Sequence, residues 1–427
     1  MCAKRRELTA IAAMGALYFF SYFYRVGVPG TVFDEIQTDL GVSAAAVTAL
    51  AAIYLYVYGG IQIGVGLAAD LWGGMKVLIF GGLLMSAGGV IFPLSGSLGW
   101  LYASRAMVGM GAGCMYLSIV KEIDSLFGEE HFAPLLGVMI FVGYAGGLMG
   151  TYPLERAVSA FGWRRALLGA GVLCTATLAV VAVLLPRLRH IVPEPRPLRC
   201  KMLTDVLAGL PRSSPVLFCG VANWAVYFII QTTLGKKFLQ DFAGLSSRAA
   251  AGFTFLMMVV AMTSVFFSGI VSRLMGNRRK PLLVVAATVT LAACVLLVWG
   301  VSTGAHGGVF LAAYLLLAAI CGSSAIFCSS VKELNAPESV GLSVGVFNCA
   351  AYVGVAIVAN AAGLVLAASR DRARDTGTAI IYPAEAYETI FWGLLVLAAL
   401  SVVVSLFIRE THGRSVAGGE SLAPCGR

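Results

Sequence analysis

An arginine is embedded in the first apolar run of this chain. Residues 8 to about 30 are almost all hydrophobic, and Arg25 follows Tyr22-Phe23-Tyr24 within them. A cation inside such a run costs roughly 2.5–3.5 kcal/mol on membrane-insertion scales, so its presence calls for a partner. Tyr18, Ser21, Tyr22 and Arg25 are spaced i, i+3, i+4, i+7 and therefore share one helical face. A guanidinium is a rigid fork that pairs bidentately with a carboxylate or phosphate. The sharper reading is that Arg25 anchors an anionic group of a small solute, with Tyr18 and Tyr22 beside it. The plainer one is an ion pair with Asp34 or Glu35, at the end of the same run.

Other apolar runs carry similar polar stripes. Tyr54, Tyr58 and Gln62 repeat at i, i+4, i+8, as do Asn223, Tyr227 and Gln231. Tyr144, Asn348 and Tyr352 are further polar positions in apolar surroundings. These residues are candidates for the wall of a solute site, although packing alone also produces such stripes. Arg105 and Glu155 lie at the same end of two further runs. A carboxylate beside a buried arginine can couple protonation to helix movement, because burial raises its pKa; a structural ion pair is the alternative. Lys121-Glu122 and Lys332-Glu333 close two runs in matching places. Each lysine either lines the inner half of a cavity or snorkels to the interface. Glu122 joins Glu155 as a candidate for proton coupling.

The elements that hold these residues follow from composition. Of 427 residues, 59% are hydrophobic and only 12% charged. A soluble domain carries about twice that share of charge, so a soluble enzyme and a disordered chain are both excluded. Runs long enough to span a bilayer lie near 8–30, 44–69, 77–98, 100–123, 135–157 and 164–186. Six more lie near 214–238, 249–272, 281–303, 308–331, 340–367 and 387–408. Between the two sets, 187–213 holds Pro193, Pro195, Pro197 and Pro211 and six basic residues, the composition of a linker. The expected domains are 1–186, a cytoplasmic linker at 187–213, and 214–427 with a short cytoplasmic tail.

The net charge of +9 does not mark a nucleic-acid binder, because the basic residues sit in the breaks between runs. With the N-terminus inside, 17 Lys and Arg fall in inside segments and 9 in outside loops, so both termini are expected in the cytoplasm. Seven of the ten cysteines lie within apolar runs and act as small hydrophobes. No spacing suggests a metal, a cofactor or a catalytic set, so no enzyme is expected.

The two sets of runs repeat each other. Gly66-x3-Asp70-x2-Gly73 is matched by Gly269-x3-Arg273-x2-Gly276 at an offset of 203, and Val120-Lys121-Glu122 by Val331-Lys332-Glu333 at 211. Gly137-Val138, Tyr144 and Gly146 are matched by Gly345-Val346, Tyr352 and Gly354 at 208. Two homologous six-helix halves with a site at their interface are the expected build of a secondary transporter.

On these residues the chain resembles the major facilitator superfamily over essentially its full length. Gly66, Asp70, Gly73 and Lys76 match the superfamily's loop after the second helix, with Leu71 in place of a basic residue. Arg105-x3-Gly109-x-Gly111-x-Gly113 is similar to its fourth-helix pattern, and Phe161-Gly-Trp-Arg164 to its turn before the sixth. Gly143-Tyr-Ala-Gly146-Gly147 lacks the proline of the drug/proton antiporter pattern. The first helix, Tyr22-Phe-Tyr24-Arg25, resembles carboxylate- and peptide-handling branches, including lysosomal dipeptide transporter-like proteins.

The resemblance implies an all-α membrane protein of twelve transmembrane helices in two pseudo-symmetric six-helix bundles. It also implies that Gly66, Asp70, Gly73, Lys76 and Arg273 form a latch between the halves. The expected function is alternating-access transport of a small anionic or zwitterionic organic solute, with protons as a coupling partner. A monomer in a bacterial inner membrane is expected. The alternatives are a non-transporting receptor on the same fold, for which Leu71 and Met75 are a small step, and an exporter of hydrophobic compounds.

Overall fold

A computed structural model describes residues 2–184, 200–335 and 340–415. Ten stretches are long and apolar enough to span a membrane. An eleventh span is bent: α3 (Ala44–Gly60) and α4 (Gln62–Trp72) meet at 43° around Ile61, directly after Gly59 and Gly60. The first helix, α1 (Cys2–Gly27), is the twelfth. A short α2 (Phe33–Leu40) lies between α1 and α3.

The first half continues through α5 (Gly74–Leu94), α6 (Leu98–Met149), α7 (Tyr152–Phe161) and α8 (Trp163–Leu184). Helical hydrogen bonding runs unbroken through α6, where the sequence suggested a loop between positions 123 and 135. Its two arms nevertheless run in opposite directions along α1. On the first arm, Arg105 bonds the carbonyls of Tyr24 and Val28, and Tyr116 stacks on Tyr18. On the second, Met139 packs near Gly15, Gly146 against Phe19 and Gly150 against Gly27.

The second half comprises α9 (Cys200–Phe228), α10 (Gly235–Asp241), α11 (Ser247–Leu274), α12 (Arg279–Thr303), α13 (Gly307–Ala319), α14 (Ser323–Leu334), α15 (Val340–Ala368) and α16 (Ala384–Ser405). Residues 187–199 of the expected linker lie outside the described residues. The helix that follows begins at Cys200, earlier than position 214. Pro215 leaves the Pro211 carbonyl without its helical donor, and the Ser214 hydroxyl takes that carbonyl at 3.2 Å.

Two spans are interrupted near their middle. A π-helical turn, Ile229–Leu234, joins α9 to α10 within one span, Gly209–Asp241. A 3-10 turn, Ile320–Gly322, joins α13 to α14. The only described strands, β1 (Arg374–Asp375) and β2 (Ile380–Ile381), form a hairpin before α16. The chain is thus an all-α membrane protein of twelve helices in two pseudo-symmetric six-helix bundles.

Close helix approach depends on missing side chains. A Cβ at Gly146 would collide with the Phe19 carbonyl, and one at Gly109 with that of Tyr54. Glycine at these points lets α6 pack against α1 and α3 backbone to backbone. Gly146→Val is expected to destabilise the fold by about 1–3 kcal/mol, as overpacking does. Thermal unfolding in detergent measures it, and an unchanged midpoint would refute the close contact.

Candidate functional site

A cavity of about 430 Å³ lies at the interface of the two bundles. It is lined by α1, α3, α4, α6, α9, α11, α14 and α15 and by the two irregular turns. Tyr18, Tyr22, Arg25, Tyr58, Gln62, Tyr144, Asn223, Tyr227, Gln231, Asn348 and Tyr352 are on its wall. The periodic stripes on separate runs therefore converge on one space.

Arg25 is 4% exposed. Its guanidinium stands over the rings of Tyr22 and Tyr58, each 4.6 Å away, and of Tyr352 at 5.4 Å. Ring faces carry negative charge density and stabilise a desolvated cation. Nη1 donates to the Tyr352 hydroxyl at 3.3 Å, while Nε and Nη2 have no protein partner. The ion pair with Asp34 or Glu35 is not formed. Those carboxylates face Lys237 at 2.8 Å and Lys236 at 4.0 Å.

Three predicted wall residues lie elsewhere. Tyr54 lies behind the wall, donating to the Ser21 carbonyl at 3.2 Å and packing its ring 4.6 Å from Arg105. Lys121 and Lys332 do not line the cavity, and Lys332 is exposed. Solvation of an ammonium at the end of a span favours that outward path. Conversely, Tyr116, Trp224, Phe228, Met258, Cys321 and Ser324 line the cavity but were not singled out. Trp224 and Phe228 are adjacent in sequence to Asn223 and Tyr227 and share their four-residue spacing, a signal that was available. Cys321 follows from the 3-10 turn, for which no motif exists.

The proposed Arg105–Glu155 pair is also absent. Arg105, 2% exposed, instead donates to three backbone carbonyls, those of Leu50, Tyr24 and Val28, at 2.9–3.1 Å. It ties α3 and the end of α1 to α6. Glu155 is 2% exposed; its Oε1 accepts from the Ser159 hydroxyl at 2.7 Å, and Oε2 has no hydrogen-bond partner. Glu122 accepts from the Met75 backbone N–H at 2.6 Å, placing a negative charge at the N-terminus of α5. Its repeat counterpart Glu333 pairs with Arg279 through Nε at 3.2 Å and Nη2 at 2.8 Å.

The glycine loop is partly described. Gly73 turns with φ at 88°, a conformation that favours glycine. Gly66 lies beside Leu117. The Asp70 side chain lies outside the described residues. Lys76 and Arg273 are exposed and make no ion pair among the described residues.

The end of the molecule that carries α2 is closed by buried charges. Lys237, at the end of the run 214–238, is fully buried between Asp34 at 2.8 Å and Asp241 at 2.6 Å. It also donates to the Ile380 carbonyl at 2.6 Å. Lys236 donates to the Thr31 carbonyl at 2.5 Å, and Gly30 N–H to the Thr232 carbonyl at 3.0 Å. The contacts to Asp34, to the Thr31 carbonyl and from Gly30 cross from one bundle to the other. Burial, with Asp34 and Glu155 nearby, pushes the Glu35 carboxyl above the usual carboxylate range despite Lys236.

Two bundles enclosing a cavity, closed at one end by ion pairs, are the build expected of a secondary transporter. Residues 14–359 match the Major Facilitator Superfamily, and the chain belongs to that family. It is 26% identical over 163 residues to a probable sulfoacetate transporter of Cupriavidus necator, covering 38% of this chain and 37% of that one. It is 26% identical over 152 residues to a di-/tripeptide transporter of Lactobacillus helveticus, covering 35% of this chain and 29% of that one. The chain thus matches about a third of the length of these relatives. A bacterial homologue of the human lysosomal transporter Spinster, solved inward-facing and unoccupied, shares the fold with a TM-score of 0.75 at 16% identity. That match covers 94% of this chain and 98% of the other.

Removing one partner of a buried ion pair costs about 3–5 kcal/mol, far more than the 1.4 kcal/mol that shifts an equilibrium tenfold. Lys237→Ala is therefore expected to open the α2 end. With the other cysteines replaced, Cys321 should react at least tenfold faster with an impermeant maleimide added from that side. An unchanged rate would show that another contact keeps this end shut.

Proposed function

We propose that this chain is a secondary active transporter that binds a small organic solute by its anionic group at Arg25. The observation that carries the reading is a buried guanidinium facing a cavity with two unpartnered nitrogens. Nε and Nη2 form one edge of the fork. Arg279 uses that same edge to hold Glu333, so the geometry for a carboxylate exists elsewhere in this molecule.

The halves 1–186 and 214–427 rock about the site, with 187–213 as the linker, in a monomer with both termini in the cytoplasm of a bacterium. Protons drive the cycle through Glu155, whose Oε2 lacks a partner. Glu122 is the weaker candidate, because its carboxylate already serves the N-terminus of α5. A receptor on the same fold is the second reading, favoured by Leu71, which is 55% exposed where the family's loop carries a base. Export of hydrophobic cations is disfavoured by the positive charge in the cavity.

Two measurements test this. A ligand at 100 times its Kd stabilises by about 2.7 kcal/mol, so dipeptides, carboxylates and sugar phosphates are screened by thermal shift. Uptake of the best ligand into proteoliposomes is then expected to fall at least 100-fold in Arg25→Gln. Binding without uptake in the parent protein would favour the receptor, and full uptake by the variant would refute the anchor. Glu155→Gln is expected to lose accumulation driven by a proton gradient while retaining solute exchange. Retained accumulation would exclude Glu155 as the coupling group.

A further inference from the structure

We infer that the cavity selects an organic monoanion with an apolar, preferably aromatic, body, and rejects zwitterions and dianions of the same shape. The inference rests on the proposed anchoring at Arg25 and narrows it. Among the described residues on the wall, Arg25 alone bears a formal charge. No aspartate or glutamate is among those described residues, so an ammonium group entering beside a bound carboxylate would be desolvated without a counter-charge. One acceptor on the wall without a hydrogen-bond donor is Gln231 Oε1, fixed by Nε2 donating to the Thr254 carbonyl at 3.2 Å. A neutral carbonyl suits a hydroxyl or amide N–H on the solute and does not replace a carboxylate.

A second negative charge meets the converse problem. The other buried cations near the bundle interface are committed: Lys237 to Asp34 and Asp241, and Lys236 to the Thr31 carbonyl and Glu35. Neither Lys121 nor Lys332 reaches the wall. One guanidinium edge therefore meets one carboxylate or sulfonate, and nothing neutralises another. Away from Arg25 the wall includes Tyr144, Trp224, Tyr227, Phe228, Met258 and Ile320, with the neutral polar side chains of Asn223, Ser324 and Asn348 among them. Such rings and a thioether favour a flat apolar body over a polar one. A space of about 430 Å³ accommodates a ring and its side chain.

Four matched probes separate these features: 3-phenylpropanoate, its amide, phenylalanine and phenylsuccinate. Their binding to the full-length protein in detergent is measured by calorimetry and thermal shift, with Arg25→Gln and Arg25→Lys in parallel. The expected result is that phenylpropanoate binds at least tenfold tighter than each of the other three, and that both variants lose this preference. Arg25→Lys keeps the charge without the fork and serves if the Gln variant does not fold. Phenylalanine or phenylsuccinate binding as well as phenylpropanoate, with both lost in the variants, overturns the selectivity and leaves the anchor standing. Equal binding of acid and amide, unchanged in the variants, overturns the anchor itself. Absence of binding by all four overturns the aromatic-monoanion class.

Discussion

A cation removed from water must be given a counter-charge or hydrogen-bond acceptors. In a chain with so little charge, this constraint determines much of the architecture. Arg105 meets it with three carbonyls, and thereby fastens α3 and the end of α1 to α6. Lys237 meets it with two carboxylates and a carbonyl drawn from both bundles, and thereby closes one end. Arg279 meets it with Glu333 and the Ser272 hydroxyl. Arg25 meets it only in part, with ring faces and one hydroxyl. The buried guanidinium whose hydrogen bonding is incomplete is the one that faces the cavity.

Ring faces are a fitting partner for a binding arginine. A carboxylate in their place would neutralise Arg25 permanently and compete with any anionic solute. Aromatic rings hold the cation in position while leaving its net charge in place. The tyrosines around Arg25 thus keep it buried without satisfying it, at a point where both bundles supply a wall.

Much of the architecture was legible because membrane spans announce themselves by length and apolarity. The stripes on separate runs were legible as faces, because helical periodicity reports direction around an axis. Periodicity does not report which neighbour a face meets. Tyr54 and Tyr58 are on one stripe, yet Tyr58 lines the cavity while Tyr54 packs on Arg105. Lys236 and Lys237 close the run 214–238 with two adjacent charges, and only tertiary carboxylates on α2 and α10 make their burial tolerable. The pairing of Arg105 with Glu155 failed for a related reason. Carbonyls freed near the end of a helix are invisible in a sequence, and they satisfy a guanidinium as well as a carboxylate does.

The π-helical turn at Ile229–Leu234 bears on how occupancy could be felt at a distance. It separates α9, which carries Asn223 and Tyr227, from α10, which carries the two buried lysines. Such turns bond i to i+5 and are frequent at functional sites. Gln231 lies within the turn and also lines the cavity, while Thr232 in the same turn accepts the Gly30 N–H of the other bundle. The residue that would meet a solute therefore shares one turn with the backbone contact to the other bundle and leads directly into the lysines that close that end.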